Sequence, residues 1–480
     1  MRTPISLRIA APLFARLSAH LFPGDLDEHG AIIVAGVASS DRGTRLLARD
    51  VILARDGVDY VPGSRGYRAL SPRFVAEVAH SCAAENLAYF AVHNHRGTDS
   101  VGFSPDDLAS HERGYPAILD ILKGGPMGAL VCAVNAVAGD IWTRDGRFPL
   151  DHATVVGPRV RTLFPTPRRR PRAADPVYDR HARLFGDLGQ EILSCLKVGI
   201  IGLGGGGSLM NEWLARLGVG HIVAIDFDKV SLSNLPRVVG ATRWDAKSFL
   251  ARRESAWLRK LAWRLSSYKV NVARRVALAA NPNIRYDAVV GNVIDEKTAL
   301  LLADCDFLVL AGDTMQSRLV FNALCQQYLI PGVQIGAKVT VDKTTRQVTD
   351  ITTATRPVLP HPCGGCLDCH ELILPDRLQE EALTADERRA QRYVDDDEVA
   401  EPSVIALNAL SAAQAANDLM MMFTGLFDEA VALEHTINFA RRRSPMAVSG
   451  RSNEDCLDCG CKPRSRRARG DRVRLPCRTR

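Results

Sequence analysis

The glycine-rich stretch that begins after an apolar run at Lys197 constrains the fold of this chain more than any other feature. It reads KVGIIGLGGGGS, and a helical pattern and a second apolar run ending in IDFD come after it. A turn of this kind lets backbone N–H groups approach phosphate oxygens, and an acidic residue after the next strand can bind a ribose hydroxyl. The stretch therefore predicts a doubly wound, mostly parallel sheet with a nucleotide at the turn.

Charged residues downstream of the turn indicate which nucleotide chemistry this is. Their cations would lie near phosphates, and a carboxylate after the apolar run DFLVLAGD could hold Mg²⁺. Such a set favours nucleotidyl transfer over hydride transfer. Its members are Asp226, Asp228, Asn234, Arg237, Lys269, Asp313 and Arg318.

In this order the motifs resemble the ThiF/MoeB and ubiquitin-activating adenylyltransferase family. The likeness runs from Tyr178-Asp-Arg180 through GLGGGGS, IDFDKVSLSNLPR and AGDTMQSR to paired cysteines near the end. Members of the family use Mg-ATP to adenylate the C-terminal glycine of a ubiquitin-like protein. The resemblance implies the same reaction here, carried out by a homodimer.

The resemblance also implies roles by motif position. Asp226 would bind the ribose, Asp313 would hold Mg²⁺, and Arg180 would be supplied across the dimer interface. Arg237 and Lys269 would contact the triphosphate, and between them lies a long basic insertion, RWDAKSFLARRESAWLRKLAWRL, where simpler relatives are short. The residues assigned to the nucleotide are Gly202, Gly204, Gly205, Gly206, Asp226, Asp228, Asn234, Arg237, Lys269 and Asp313.

A second candidate site lies near the N-terminus, in AYFAVHNHRGTDSVGFSPDDL. His93 and His95 stand at i and i+2 after an apolar strand, so both imidazoles face the same side, and Asp107 follows within reach of a loop. Two His and one Asp leave a fourth zinc position for water, which is typical of a catalytic zinc. Zinc lowers the pKa of that water to about 7, and a nearby carboxylate can then accept its proton.

This segment resembles the JAMM (MPN+) metalloprotease motif, which has an upstream Glu, then HxH, then S-x-x-D. The matching residues are Glu28, His93, His95, Ser104 and Asp107. The resemblance implies cleavage of isopeptide or C-terminal peptide bonds at ubiquitin-like proteins, with Glu28 as general base and Ser104 helping to hold the oxyanion. Arg96 stands where the family has Pro, and the following loop is one residue longer, so Asp106 is an alternative ligand.

Cysteine usage points to metal rather than disulfides. The chain has 12 cysteines, no secretory signal and no apolar run near the ~18 residues of a membrane span, which predicts a cytoplasmic protein with thiol or metal-bound cysteines. Two identical pairs, Cys366-Leu-Asp-Cys369 and Cys456-Leu-Asp-Cys459, predict a structural zinc site. Cys363 and Cys461 are close enough in sequence to replace one of the four.

Periodicity and composition predict two α/β domains, and 46% hydrophobic residues in 480 suffice for two cores. We expect a JAMM-like mixed α/β domain over 1–150 and a doubly wound, ThiF-type Rossmann-like domain with structural zinc over 177–465. A basic Pro/Arg-rich linker over 151–176 and a basic disordered tail over 466–480 carry the excess of the +7 net charge. Neither has interleaved aromatic residues, so solvated segments are favoured over nucleic-acid contacts.

Together, the two resemblances and the cysteine pairs imply a fused enzyme that uses ATP, Mg²⁺ and two Zn²⁺, requiring neither membrane nor nucleic acid. One half would process or deconjugate a ubiquitin-like partner and the other would activate its C-terminal glycine. Bacterial tagging operons, some of them antiphage systems, are the setting that such fusions indicate, with a conjugating enzyme as further partner. One alternative is activation of a sulfur-carrier protein for thiamine, molybdopterin or cysteine-type metabolism, with a sulfurtransferase as further partner. The other is a non-catalytic scaffold that binds a ubiquitin-like protein.

Overall fold

The computed structural model describes residues 4–62, 68–169, 171–342, 345, 347–383, 402–428 and 430–478. These residues form two large sheets, each covered by helices, and a C-terminal segment that contacts both. Among them, no helix is long and apolar enough to cross a membrane.

The first sheet has nine strands and confirms the predicted mixed α/β architecture. The strands are β1 (Ile5–Ala10), β2 (Gly30–Ser40), β3 (Gly43–Leu53), β4 (Ala88–Asn94), β5 (Met127–Cys132), β6 (Val137–Thr143), β7 (Gly146–Pro149), β8 (His152–Val156) and β9 (Arg161–Leu163). Their spatial order is β7-β6-β5-β4-β2-β3-β1-β8-β9. Helix α1 (Ala11–Leu21) covers one face, and α2 (Pro72–Glu85) and α3 (Pro105–Ile121) cover the other. The central strands are continuously apolar because both faces are covered.

The second sheet has eight strands and confirms the predicted doubly wound, Rossmann-like arrangement. They are β10 (Lys197–Ile201), β11 (His221–Ile225), β12 (Arg285–Val289), β13 (Phe307–Leu310), β14 (Gly332–Val341), β15 (Val348–Val358), β16 (His435–Phe439) and β17 (Ser444–Val448). Their order is β12-β11-β10-β13-β14-β15-β16-β17. The first five strands of this order are parallel, and the last three extend the sheet in antiparallel fashion.

Helices cover both faces of the second sheet. Those of one face include α5, α8 and α12, while α10 packs on the other. The helices are α4 (Asp179–Cys195), α5 (Gly205–Arg216), α6 (Ser248–Ala251), α7 (Ala256–Leu265), α8 (Lys269–Ala280), α9 (Glu296–Leu300), α10 (Met315–Gln327), α11 (Pro375–Ala382) and α12 (Ile405–Thr424). Short 3₁₀ turns span Pro176–Tyr178 and Leu232–Asn234.

The first unit extends beyond the expected boundary at residue 150. Strand β8 pairs in parallel with β1, and β9 pairs with β8, so the sheet continues to Leu163. The predicted linker over 151–176 therefore begins with two strands. Both are short, and β8 depends on pairing with β1 about 150 residues earlier, which local periodicity does not register.

The predicted disorder of the tail over 466–480 is wrong for its described part, which ends at residue 478. Arg467 is only 3% exposed, and Gly470 forms a parallel bridge with Val37 of β2. The Arg49 guanidinium of β3 donates hydrogen bonds to backbone carbonyls of the tail, including that of Arg467. Arg49 is buried here because carbonyl oxygens accept hydrogen bonds from its guanidinium.

A largely buried charge network also joins the two sheets. The Asp306 carboxylate precedes β13 and accepts hydrogen bonds from Arg8 of β1 (2.7 Å), Arg42 of the β2–β3 turn (2.9 Å) and Arg45 of β3 (2.9 Å). Burial opposes ionisation of this carboxylate, but the three guanidinium groups lower the pKa of Asp306 to about 2. Burial lowers the pKa of Arg8 to about 9 in spite of this partner. The network therefore depends on a shared counter-charge.

Candidate functional site

The winding of the second sheet reverses between β10 and β13. From β10 the chain moves outward through β11 to β12, and it then returns on the other side of β10 as β13 and β14. In open α/β sheets, ligands bind at the carboxyl ends of the strands beside such a reversal. The glycine turn, Asp226 and Asp313 all follow strands at this edge.

The glycine turn combines tight packing with one open position. Gly202 has φ +87°, and a Cβ on Gly205 would lie 2.1 Å from the amide nitrogen of Asn408 in α12. A Cβ on Gly206 would lie 3.0 Å from a side chain of β14, whereas one on Gly204 would meet nothing within 4 Å. Gly204 is the N-cap of α5 and offers no side-chain cap, so the first N–H groups of the helix border open space. This arrangement fits a phosphate group.

Asp226 ties the turn to the end of β11. Its Oδ2 accepts a hydrogen bond from the Leu203 N–H (2.7 Å) and its Oδ1 accepts one from the Asp228 N–H (2.8 Å). Burial raises the pKa of Asp226, and the Lys269 ammonium, 3.9 Å from Oδ2, opposes that shift. Lys269 also donates to Asp228 Oδ2 at 2.7 Å. The structure thus brings Asp226, Asp228 and Lys269 together despite the insertion that precedes Lys269.

The segment after β11 presents an unsatisfied guanidinium nitrogen. Asn234 Oδ1 accepts a hydrogen bond from the Ser231 N–H (3.0 Å), and the Val239 N–H donates to Ser208 Oγ in the first turn of α5 (3.1 Å). Arg237, two residues before Val239, has a buried Nε without a hydrogen-bond partner in the described part of the chain. A buried donor of this kind, on a segment packed against an uncapped helix, fits an anionic ligand.

Asp313 is exposed after β13, where a loop and α11 meet the start of α10. The Glu381 carboxylate of α11 accepts hydrogen bonds from the N–H groups of Met315 (2.8 Å) and Gln316 (2.9 Å). Burial lowers the pKa of Arg318, and its guanidinium donates to a backbone carbonyl. Glu381, like Asn408 beside the glycine turn, was not predicted, because neither stands in a motif and only the tertiary packing places it here.

Arg180 lies in the first turn of α4 and is exposed. Within the described residues of its own chain it forms no ion pair. Its assignment to a second subunit's nucleotide stays a prediction.

The N-terminal cluster brings its predicted ligands within bonding range of one ion. His93 Nε2 and His95 Nε2 are 3.2 Å apart, and the Asp107 carboxylate lies 3.6 Å and 3.4 Å from them respectively. Ligands about 2.0–2.2 Å from a tetrahedral zinc stand about 3.3–3.6 Å from one another. Glu28 Oε1 is 3.8 Å from His95 Nε2, so a carboxylate borders the cluster. The three residues therefore fit a zinc ion.

Ser104 and Asp107 form a capping box at the N-terminus of α3. Ser104 Oγ donates to Asp107 Oδ2 (2.7 Å), and the Asp107 N–H donates back to Ser104 Oγ (3.1 Å). Burial opposes ionisation of Asp107, but hydrogen bonds from His93 and Ser104 hold its pKa below its usual value. Asp106 is exposed and lies outside the group. Ser104 thus orients Asp107 in this structure, and its part in an oxyanion site stays a prediction.

The two CxxC pairs meet in a buried four-cysteine cluster. The sulfur atoms of Cys366 and Cys456 are 3.7 Å apart, those of Cys369 and Cys459 3.6 Å, and those of Cys366 and Cys369 3.8 Å. Four sulfurs at about 2.3 Å from a tetrahedral zinc lie about 3.8 Å apart, so the cluster fits this metal. Asn322 of α10 joins the two pairs. Its side-chain oxygen accepts a hydrogen bond from the Leu367 N–H (3.0 Å), and its side-chain nitrogen donates one to the Asp458 carboxylate within the second pair.

Of the remaining cysteines two are paired, four are buried, Cys477 is half-buried and Cys195 is exposed. Cys363 and Cys461, the alternative ligands, are bonded to each other as a disulfide, contrary to the expectation of thiols and metal ligands alone. Cys305 and Cys325 are fully buried, and burial raises the pKa of the Cys305 thiol to about 12. These two thiols are therefore poor nucleophiles in the folded chain.

Comparisons with known proteins identify the family of the region that contains the second sheet. A model of the ThiF family matches residues 178–457, more than half of the chain. The molybdopterin-synthase adenylyltransferase of Haemophilus influenzae is 32% identical over 30% of this chain and 51% of its own length. The SAMP-activating enzyme E1 of Haloferax volcanii is 29% identical over 32% of this chain and 51% of its own length. The chain spans about half the length of these curated relatives.

Solved structures also resemble the chain. The crystal structure of E. coli MccB with ATP shares 18% identity, with a TM-score of 0.43, over 60% of this chain and 75% of that chain. The family match begins at residue 178, so it does not include the first sheet.

Proposed function

Because the chain belongs to the ThiF family, we propose that it adenylates the C-terminal carboxylate of a small partner protein, either ubiquitin-like or a sulfur carrier. The names of its relatives support both classes of partner, since they include the SAMP-activating enzyme E1 and the sulfur carrier protein ThiS adenylyltransferase of Bacillus subtilis. A homodimer is part of the proposal, because Arg180 is exposed and has no ion-pair partner among the described residues of its own chain.

One observation carries the proposal: the edge at β10 offers donors for an anion that the described side chains do not satisfy. The uncapped N-terminus of α5 borders open space at Gly204, and Arg237 Nε is buried without a partner. A triphosphate would accept hydrogen bonds from both. The donors lie at the strand reversal where nucleotides bind in such sheets.

The proposed reaction joins the partner's carboxylate to the α-phosphorus of ATP while the bond to pyrophosphate breaks. The carboxylate is already ionised near neutral pH, so the chain needs no general base. Arg237, Lys269 and the α5 amides would stabilise the negative charge that builds on the phosphate oxygens. Asp313 would hold Mg²⁺, which supplies further charge neutralisation when it is bound. Asp228 holds the Lys269 ammonium in place at 2.7 Å.

The test measures ATP–pyrophosphate exchange with the full chain and a panel of glycine-ending ubiquitin-like and sulfur-carrier proteins. Asp313→Ala should lower exchange at least about a hundredfold, because it removes the metal-binding carboxylate at this edge. Asp120→Ala is the matched control, since Asp120 is an exposed aspartate of α3 in the first unit. Unchanged exchange in Asp313→Ala would rule out the assignment of this edge.

The N-terminal cluster favours a second activity, zinc-dependent cleavage at the C-terminus of the same kind of partner. The supporting observation is the approach of His93, His95 and Asp107 to within tetrahedral ligand distances, with Glu28 alongside. Bound zinc would polarise the scissile carbonyl and a water molecule. Glu28 would take the proton of that water and pass it to the leaving amine.

Zinc content and cleavage of a ubiquitin-like fusion test this second activity in the full chain. Glu28→Ala should keep all of the bound zinc and lose cleavage, because Glu28 is not one of the three ligands. His93→Ala with His95→Ala should bind one zinc fewer than the wild type. If wild type and the double variant hold equal zinc, the N-terminal site is refuted.

A further inference from the structure

The insertion between Arg237 and Lys269 carries most of the exposed aromatic surface of the described chain. Among all described residues, five Trp and Phe side chains are exposed, and four of these five belong to the insertion. These four are Trp244, Phe249, Trp257 and Trp263, and between 51% and 69% of each is exposed. Large aromatic side chains in such a group are typical of a binding surface rather than of a solvated loop.

The same insertion is rich in cations without counter-ions. It contains seven basic residues and two acidic ones, and one of the acidic residues, Asp245, is buried and paired with Arg275 (2.8 Å). None of the seven basic side chains forms an ion pair with a residue that the structure describes. They are Arg243, Lys247, Arg252, Arg253, Arg259, Lys260 and Arg264. The surface therefore has a strong uncompensated positive charge.

Aromatic and cationic side chains are interspersed on the solvent side of α7. Successive residues of an α-helix are rotated by about 100° around its axis. Around the axis of α7, the aromatic and cationic side chains therefore follow one another in the order Arg259, Trp263, Lys260, Arg264 and Trp257. Ala262, on the opposite side, is 1% exposed, which fixes the orientation of the helix.

The preceding segment, which includes α6, repeats this pairing of aromatic and cationic groups. There the rings of Trp244 and Phe249 stack at 5.8 Å, and the Lys247 ammonium lies 4.2 Å from the centre of the Trp244 ring.

We propose that this insertion binds single-stranded nucleic acid. Bases stack on exposed aromatic faces whatever their sequence, while cations between those faces contact the phosphates. A helix that lies on an anionic membrane has its apolar face separate from its basic face, and Trp263 lies among cations instead. The centre of a protein–protein interface is depleted of charged residues, whereas charged side chains lie in the middle of the α7 surface.

The bound strand would lie beside the nucleotide site. The Lys229 ammonium, three residues after Asp226, donates to the Arg264 carbonyl at the end of α7 (2.6 Å), and Lys269 follows five residues later. The binding surface is separate from the residues assigned to adenylation, so its variants should leave ATP binding unchanged.

Fluorescence anisotropy of the full chain with a 5′-fluorescein-labelled 20-nucleotide RNA of mixed sequence tests the proposal, with DNA of the same sequence and its duplex as further arms. Trp257→Ala with Trp263→Ala should weaken single-strand binding at least about tenfold. Arg259→Glu with Lys260→Glu should also weaken it and flatten its salt dependence. The control is Arg442→Glu with Arg443→Glu, in the exposed β16–β17 turn. It makes the same charge change and should alter neither the affinity for the single strand nor its salt dependence.

Circular dichroism of each variant checks that the fold is intact, and all of the substituted side chains are exposed. Absence of wild-type binding to any single strand in 50 mM salt would overturn the proposal. So would equal affinity in the double tryptophan variant. Binding to poly-L-glutamate or to phosphatidylserine vesicles without binding to RNA or DNA would assign the surface to another class of partner.

Discussion

Replacing Asp306 by asparagine should weaken the contact between the two sheets more than any exposed ion pair could. Asp306 is the shared counter-charge of Arg8, Arg42 and Arg45. The Arg8 and Arg45 side chains are only 8% and 11% exposed, so water cannot replace the lost carboxylate. Asparagine keeps the shape of the side chain, and the substitution therefore isolates the charge.

The pKa of Asp306 gives the size of the effect. A fall from the ordinary 3.8 to about 2, at about 1.36 kcal/mol per pKa unit, corresponds to about 2 kcal/mol of stabilisation of the charged form. Leaving buried guanidinium groups unpaired raises the expected loss to about 3–5 kcal/mol in the free energy of unfolding at pH 7. Because the folded pKa lies below the unfolded one, this stabilisation is present above about pH 4 and is lost toward pH 2.

Urea unfolding followed by tryptophan fluorescence at pH 7 and pH 3 measures both effects. Asp306→Asn should lower the free energy of unfolding at pH 7 and also reduce its fall between the two pH values. The control is Asp50→Asn, which breaks the exposed pair of Asp50 with Arg16 and should cost less than about 1 kcal/mol. A loss below about 1 kcal/mol in Asp306→Asn, or an unchanged pH dependence, would refute the reasoning.

Metal analysis of Cys456→Ser should show one zinc fewer than the wild type, since a tetrahedral site loses one of its four sulfurs; an equal content would contradict the zinc assignment. Mixing an Arg180→Ala chain with an Asp313→Ala chain should restore part of the exchange activity, because one of the two hybrid sites contains both native residues. A fully active monomer in light scattering would disprove the dimer. The span 370–455 contains no cysteine, so we expect the adenylate to pass directly to a thiol on a separate protein rather than to form a thioester on this chain. A non-reducing gel after incubation with ATP and the partner should then show no thiol-labile adduct, and an adduct mapped to any cysteine of this chain would contradict direct transfer.

Local motifs made the geometry of the β10 edge and of the cysteine cluster predictable. The conformation of the Gly202 turn, the placement of Asp226 after β11 and the meeting of the two CxxC pairs follow from residues close together in sequence or from repeated motifs. His93 and His95 share one side because they stand two residues apart at the end of a strand. Patterns of this kind need little knowledge of the remaining fold.

Contacts between distant segments were not predictable from such patterns. The tail was expected to be disordered because its arginines and glycines lack apolar periodicity, yet Arg467 is buried and donates to the Arg49 carbonyl at 2.7 Å. Asp306 acquires its partners from two strands and a turn about 260–300 residues earlier. In both cases polar side chains are buried because they hydrogen-bond to other protein groups. A hydrophobicity scale that is used to predict burial assigns such side chains to the surface.

The tail imposes an order on folding during synthesis. Arg49 emerges early from the ribosome, but the carbonyl oxygens that satisfy its guanidinium belong to residues 416 and 418 positions later. At a synthesis rate of about 5–20 residues per second, these residues are translated roughly 20 to 80 seconds after Arg49. The part of the protein that is made first is therefore completed last. The first sheet therefore gains the carbonyl partners of Arg49 only after all strands of the second sheet have been translated.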